Sequence, residues 1–157
     1  PERVHLILPG EGALLEECRM LAAELGVEER VLFPGYCTHM APWYAAADAA
    51  AAASRIEGLP FHVMEAMYLG LPVIASAVKG HVDLIEEGQN GLLYPYGDSE
   101  AFARQVRRLL EEPGLRDGMA ARTRASVLQY GLEQVLPQVW DCYTALFQES
   151  REKSLVR

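Results

Sequence analysis

The sequence predicts an α/β fold built on an open parallel sheet with helices on both faces. Two observations predict it. Short apolar runs alternate with stretches of helical period. The runs are apolar throughout rather than at every second residue, as strands covered on both faces are. Half of the 157 residues are hydrophobic and 23% are charged, which suits one compact domain with a substantial core.

The elements follow in order. Val4-His5-Leu6-Ile7-Leu8 reads as a buried strand stopped by Pro9-Gly10, and Gly10-Glu11-Gly12 as a tight turn. Residues 13–25 place Leu14, Leu15, Cys18, Leu21, Ala22 and Leu25 at helical spacing, with Gly26 as the C-terminal cap. Arg30-Val31-Leu32-Phe33 is a second strand, and residues 40–46 a short helix that admits Pro42 in its first turn. The alanine run at 45–54 is ambiguous, since alanine is the best helix former. The alternation of units decides for a narrow buried strand at 48–53.

Residues 60–69 form a helix with Pro60 at its first position and Gly70 at its end. Pro72-Val73-Ile74-Ala75 is the next strand, and His81 to Ile85 a helical turn. Asn90-Gly91 turns into a last strand, Gly91 to Tyr94. Helices then run over 98–111, capped by Asp98 or Ser99, over 114–129 and over 132–149. The domain is expected to span residues 1–150 and to be incomplete at its N-terminus, since a strand follows Pro1 almost at once. Residues 151–157 form a polar, frayed tail.

Charge and composition exclude several functions. A net charge of −8 disfavours nucleic acid, which needs clustered cations. The arginines between Arg104 and Arg124 read as a solvated helix face. No apolar run approaches the ~18 residues that span a bilayer, and no signal-peptide pattern precedes the first strand. Cys18, Cys37 and Cys142 are odd in number and far apart, so they suggest neither a disulfide frame nor a zinc site, and fit a reducing cytoplasm. Cys18 reads as a small buried hydrophobe. Trp43, Tyr44 and Trp140 read as helix-packing aromatics.

In open α/β sheets the ligand sits beyond the carboxyl ends of the strands. Two loops lie there. Gly10-Glu11-Gly12 is a weak signal, because it lacks the third glycine of a dinucleotide fingerprint. The loop from Ser54 to Phe61 says more. Gly58 lets the backbone turn closely around a ligand, and Phe61 and His62 offer backbone N–H groups at a helix start, where the dipole favours phosphate. Glu57 precedes that start, and Glu65 lies eight residues further on. A carboxylate accepts from two neighbouring hydroxyls at once, the geometry of a ribose or hexose diol. A phosphate site flanked by two diol readers describes a nucleotide-sugar. His62 reads as a local hydrogen-bonding group and not as a general base. His81 lies near a strand end and could approach the donor.

Glu57 through Glu65 resembles the E-x7-E motif of family 4 retaining glycosyltransferases. "RVLFPGY", "YAAADAAAAASRIEGLP", "MEAMYLGLPVIAS" and "GHVDLIEEGQNGLLY" resemble further blocks of that family in the same order, from about Val4 to about Tyr143. "EGLP" and "GHVDLI" look most like the branch that builds capsular and other cell-surface polysaccharides. The resemblance implies a GT-B architecture of two Rossmann-like domains, of which this chain is most of the C-terminal, donor-binding half. It implies no metal and no cofactor; positive groups and helix dipoles offset the charge of the leaving diphosphate. Carried over, Glu65 holds the ribose hydroxyls and Glu57, the residue assigned to catalysis, lies by the donor sugar. The backbone of Gly58, Leu59 and Phe61 lies against sugar and diphosphate, and Tyr36 and Cys37 near the base.

Three departures from the family pattern stand out. The domain's first strand and the loop with the family's Arg and Lys are absent, and Arg55 is a substitute by proximity alone. Pro60 stands where many members have glycine, which removes one N–H from the phosphate cradle. Asp83 stands where most have glutamate.

The expected activity is transfer of a sugar from a UDP-linked donor to an acceptor hydroxyl with retention. The acceptor domain lies outside this chain, so the isolated chain is expected to be inactive. The whole protein is expected in the cytoplasm, at the inner face of the membrane. A competing reading is a non-catalytic nucleotide-sugar-binding or subunit-interaction module; another is a different GT-B class such as an epimerase. The apolar face of the last helix, around Leu136, Val139, Trp140 and Tyr143, is expected to pack locally or to associate with another copy.

Overall fold

The computed structural model describes residues 4–155. The order of elements is β1 (Leu6–Pro9), α1 (Leu15–Glu24), β2 (Val31–Gly35), α2 (Ala41–Ala46), β3 (Ala50–Ala52), α3 (Phe61–Tyr68), β4 (Val73–Ser76), β5 (Gly91–Tyr94), α4 (Ser99–Glu111), α5 (Leu115–Val127) and α6 (Leu132–Leu155). Every strand pairing is parallel. β1 pairs with β2, and β3-β4-β5 form a separate three-stranded ladder. Contacts group the chain into two compact units, Pro1–Ala46 and Ala47–Arg157.

In the first unit, α1 ends in a glycine cap. Gly26 takes a positive φ of 63°. Its N–H bonds to Ala23 O at 2.9 Å, and Val27 N–H to Ala22 O at 2.9 Å, the two closing bonds of a Schellman motif. The core here is thin. Cys18 is exposed, contrary to the expected buried position, and Ala22 is the one buried residue of the helix. The carboxyl ends of β1 and β2 meet where Gly10 N–H bonds to Gly35 O at 2.7 Å.

The second unit holds the main core. β4 is buried at all four positions, so both of its faces are covered. Ile74, Leu92 and Tyr94 pack with Ala101, Leu109 and Met119 of α4 and α5. Val63, Ala66 and Met67 of α3 are buried as well. The alanine run does form a strand: Ala50, Ala51 and Ala52 lie opposite Val73, Ile74 and Ala75 of β4. Partner-strand hydrogen bonds override the helical propensity of alanine there. Asp98 caps α4 as expected, its carboxylate accepting from Ala101 N–H at 2.8 Å.

Three expectations are corrected. Pro60 is the N-cap of α3 and not its first helical residue; its ψ of 100° is extended, and its carbonyl accepts from Val63 and Met64, each at 3.1 Å. α6 runs on to Leu155, six residues past the expected end at 149, since Arg, Glu, Lys and Leu all propagate a helix. The tail expected at 151–157 is thus helical as far as Leu155, and residues 156–157 lie outside the described residues. Trp140 is 72% exposed and does not pack a core. It belongs to a stripe with Leu136, Val139 and Tyr143 that is exposed along its length, so the local packing of that face does not occur. Among the described residues no helix is long and apolar enough to cross a membrane.

Gly91 shows how tightly β4 and β5 are joined. A Cβ at Gly91 would lie 2.6 Å from Val73 O and 3.1 Å from Ile85 Cγ2. Gly91→Ala is therefore expected to destabilise the chain by about 2 kcal/mol through overpacking against backbone. Urea denaturation checks it, and an unchanged midpoint would contradict the packing.

Candidate functional site

The loop from Ser54 to Pro60 leaves the carboxyl end of β3 and enters α3. Its position is set by β4 and by the turns after it. Ser76, fully buried at the end of β4, donates its hydroxyl to Ser54 O at 2.6 Å. A backbone carbonyl only accepts, so the 2.8 Å contact between His81 Nδ1 and Ser76 O places the proton on Nδ1. Ser76 Oγ lies 3.2 Å from the same nitrogen. Gly80 completes the clamp. Its φ is +88°, and a Cβ there would lie 2.7 Å from Gly58 O and 2.8 Å from Glu57 Cβ. Only glycine allows that approach. Asp83 holds this turn by accepting from Gly80 N–H at 3.1 Å, which gives the shortened carboxylate a local role.

Glu57 is half-buried, while Gly58, Leu59, Phe61 and Glu65 are exposed. The first N–H groups of α3, those of Phe61 and His62, precede its first intrahelical bonds, which come from Val63 and Met64. Glu57 on the loop and Glu65 within α3 thus flank one helix start. Tyr36 and Cys37 follow β2 in the other unit. Tyr36 is 74% exposed, and Cys37 Sγ lies 3.4 Å from Gly35 O.

Sequence reasoning missed one grouping. A carboxylate oxygen of Glu57 and one ring nitrogen each of His62 and His81 lie within 4.8 Å of one another. Desolvation lowers the His62 pKa from its usual 6.5, with the Glu57 carboxylate pulling it upward, the His81 ring lowering it and the Glu65 carboxylate raising it. His81 is fully buried, and its Nε2 has no hydrogen-bond partner among the described residues. Such a nitrogen costs on the order of 1–3 kcal/mol until it finds one. The signal was present as a histidine after Lys79-Gly80, but residues 57, 62 and 81 meet only through the loop packing.

A parallel ladder with a glycine-shaped loop feeding a helix start between two carboxylates is a Rossmann-like arrangement. The comparisons with known proteins give the family. The profile of the glycosyl transferases group 1 matches residues 1–112, and the chain belongs to that family. EpsD of Bacillus subtilis (strain 168) is 33% identical over 153 residues, covering 97% of this chain and 40% of its own length. The lipopolysaccharide core biosynthesis glycosyltransferase LpsE of Rhizobium meliloti (strain 1021) is 32% identical over 133 residues, covering 84% of this chain and 39% of its own. Among solved structures, Anabaena Alr3699/HepE in complex with UDP superposes with a TM-score of 0.88 at 26% identity, over 92% of this chain and 42% of its own. The same protein is also solved with UDP-glucose. The chain spans about two fifths of the length of these relatives.

The clamp at Gly80 yields a prediction. Gly80→Ala is expected to displace the Glu57–Gly58 backbone while the core stays in place. In an amide NMR spectrum the signals of Glu57 to Leu59 should move and those of Leu92 and Met119 should not. Unmoved signals at Glu57 and Gly58 would contradict the contact.

Proposed function

We propose that this chain is the C-terminal, donor-binding part of a retaining hexosyltransferase that moves a sugar from a UDP-linked donor to an acceptor hydroxyl. The observation that carries the reading is the placement of Glu57 and Glu65 on either side of the α3 start, in a fold whose neighbour is solved with UDP and with UDP-glucose. In this reading Glu65 accepts from the ribose hydroxyls and Glu57 from hydroxyls of the sugar. The backbone of Gly58, Leu59 and Phe61 lies along sugar and diphosphate, where the helix dipole favours negative charge. The loss of one N–H at Pro60 is tolerable, because an N-cap residue contributes its carbonyl to the helix.

The whole protein carries an acceptor domain besides this chain. The relatives that it matches extend well beyond the matched segment, this chain covering 40% and 39% of their lengths, which supports that reading. The exposed apolar stripe of α6 is the face offered to the acceptor domain, or to a second copy in its absence. The complete enzyme works in the cytoplasm at the inner face of the membrane, making a cell-surface polysaccharide.

Calorimetric titration with UDP-, GDP- and ADP-sugars tests the donor site. UDP-glucose is expected to bind weakly to the isolated chain, and Glu65→Ala to weaken it by about tenfold or more, the worth of hydrogen bonds to a charged acceptor. Affinity unaffected by Glu65→Ala would sink the ribose assignment. Glu57→Gln is expected to behave differently. It should lower the affinity for UDP-glucose and leave that for UDP unchanged, and equal losses for both ligands would remove Glu57 from the sugar subsite.

A further inference from the structure

We propose that Glu57, His62 and His81 form a binding site for a divalent transition metal of the zinc class. His81 carries the proposal. Its side chain is fully buried, and its Nδ1–H is committed to the Ser76 carbonyl at 2.8 Å. Nε2 is thereby the lone-pair nitrogen of the ring, and it has no partner among the described residues. The Glu57 carboxylate and a ring nitrogen of His62 share a 4.8 Å cluster with a nitrogen of this ring. A histidine whose second nitrogen donates to a backbone carbonyl is the usual form of a metal-ligating imidazole, because that bond fixes both tautomer and ring orientation.

The donor set selects the class of ion. Two imidazoles and one carboxylate suit zinc and its first-row neighbours, whereas magnesium and calcium prefer all-oxygen shells. Zinc holds such ligands at about 2.0–2.2 Å, which sets tetrahedral donors roughly 3.4 Å apart. The donor atoms lie within 4.8 Å of one another. Contraction to bonding distance is by side-chain rotation of the half-buried Glu57 and the exposed His62, with the loop backbone held. His81 stays fixed. Three protein ligands leave one position open for water or for an oxygen of a bound molecule. The donor chemistry proposed above uses no metal. Resting on that reading, an ion held by Glu57 withdraws the carboxylate from the sugar hydroxyls, so zinc acts as an inhibitor at this site.

The test is a zinc titration of the chain against a chromophoric chelator, without nucleotide. Cys18, Cys37 and Cys142 are replaced by serine so that thiols do not compete. One saturable equivalent is expected, weakened at least tenfold by His62→Ala and by Glu57→Ala, both at positions outside the core. Cobalt in the same protein should give the visible band of a four-coordinate ion, lost in His62→Ala. No saturable equivalent, or an affinity unchanged by His62→Ala, overturns the site. Neither result bears on the donor reading, which the UDP-glucose titrations test separately. If zinc binds, it should also lower the affinity for UDP-glucose and spare that for UDP; equal binding of UDP-glucose with and without zinc overturns the inhibition.

Discussion

The candidate site depends on one buried hydroxyl. Ser76 ends β4 and donates to Ser54 O at 2.6 Å, where the chain has just left β3. Its own carbonyl receives the His81 Nδ1–H. One residue therefore ties two strand ends to the turn that follows. Gly80, in the same turn, then lets the backbone press against Glu57 and Gly58. A loop between a strand and a helix is ordinarily the mobile part of an α/β unit. Here its course is fixed by contacts with a fully buried strand, which is what a site needs if its groups are to stand ready before a ligand arrives.

Much of the fold was legible because its signals are local. The Gly26 and Gly70 caps follow from positive φ, which glycine alone takes without strain. β4 reads as a buried strand from its unbroken apolar run. The alanine strand was legible only through context, since its own propensity points the other way. What sequence could not give was the depth of burial. Cys18 and Trp140 sit on apolar stripes like those of core helices, yet both are exposed. An apolar stripe shows that a face wants cover and does not say what covers it.

The site divides in the same way. Glu57, Gly58, Phe61 and Glu65 are close in sequence, so a loop and one helix start place them together. The convergence of His62 and His81 with Glu57 is non-local, and no period or spacing encodes it. It arises from the Ser76 bonds and from the missing Gly80 side chain. His81 looked like a residue near a strand end. The structure makes it a fully buried ring with one nitrogen committed and the other without a partner among the described residues.

The central claim is that the loop and helix start between Glu57 and Glu65 receive a nucleotide-sugar. Amide mapping of the isotopically labelled chain during titration with UDP-glucose tests it most directly. The account predicts saturable shifts that are largest from Glu57 to Glu65. Saturable binding that leaves those amides unmoved would contradict it.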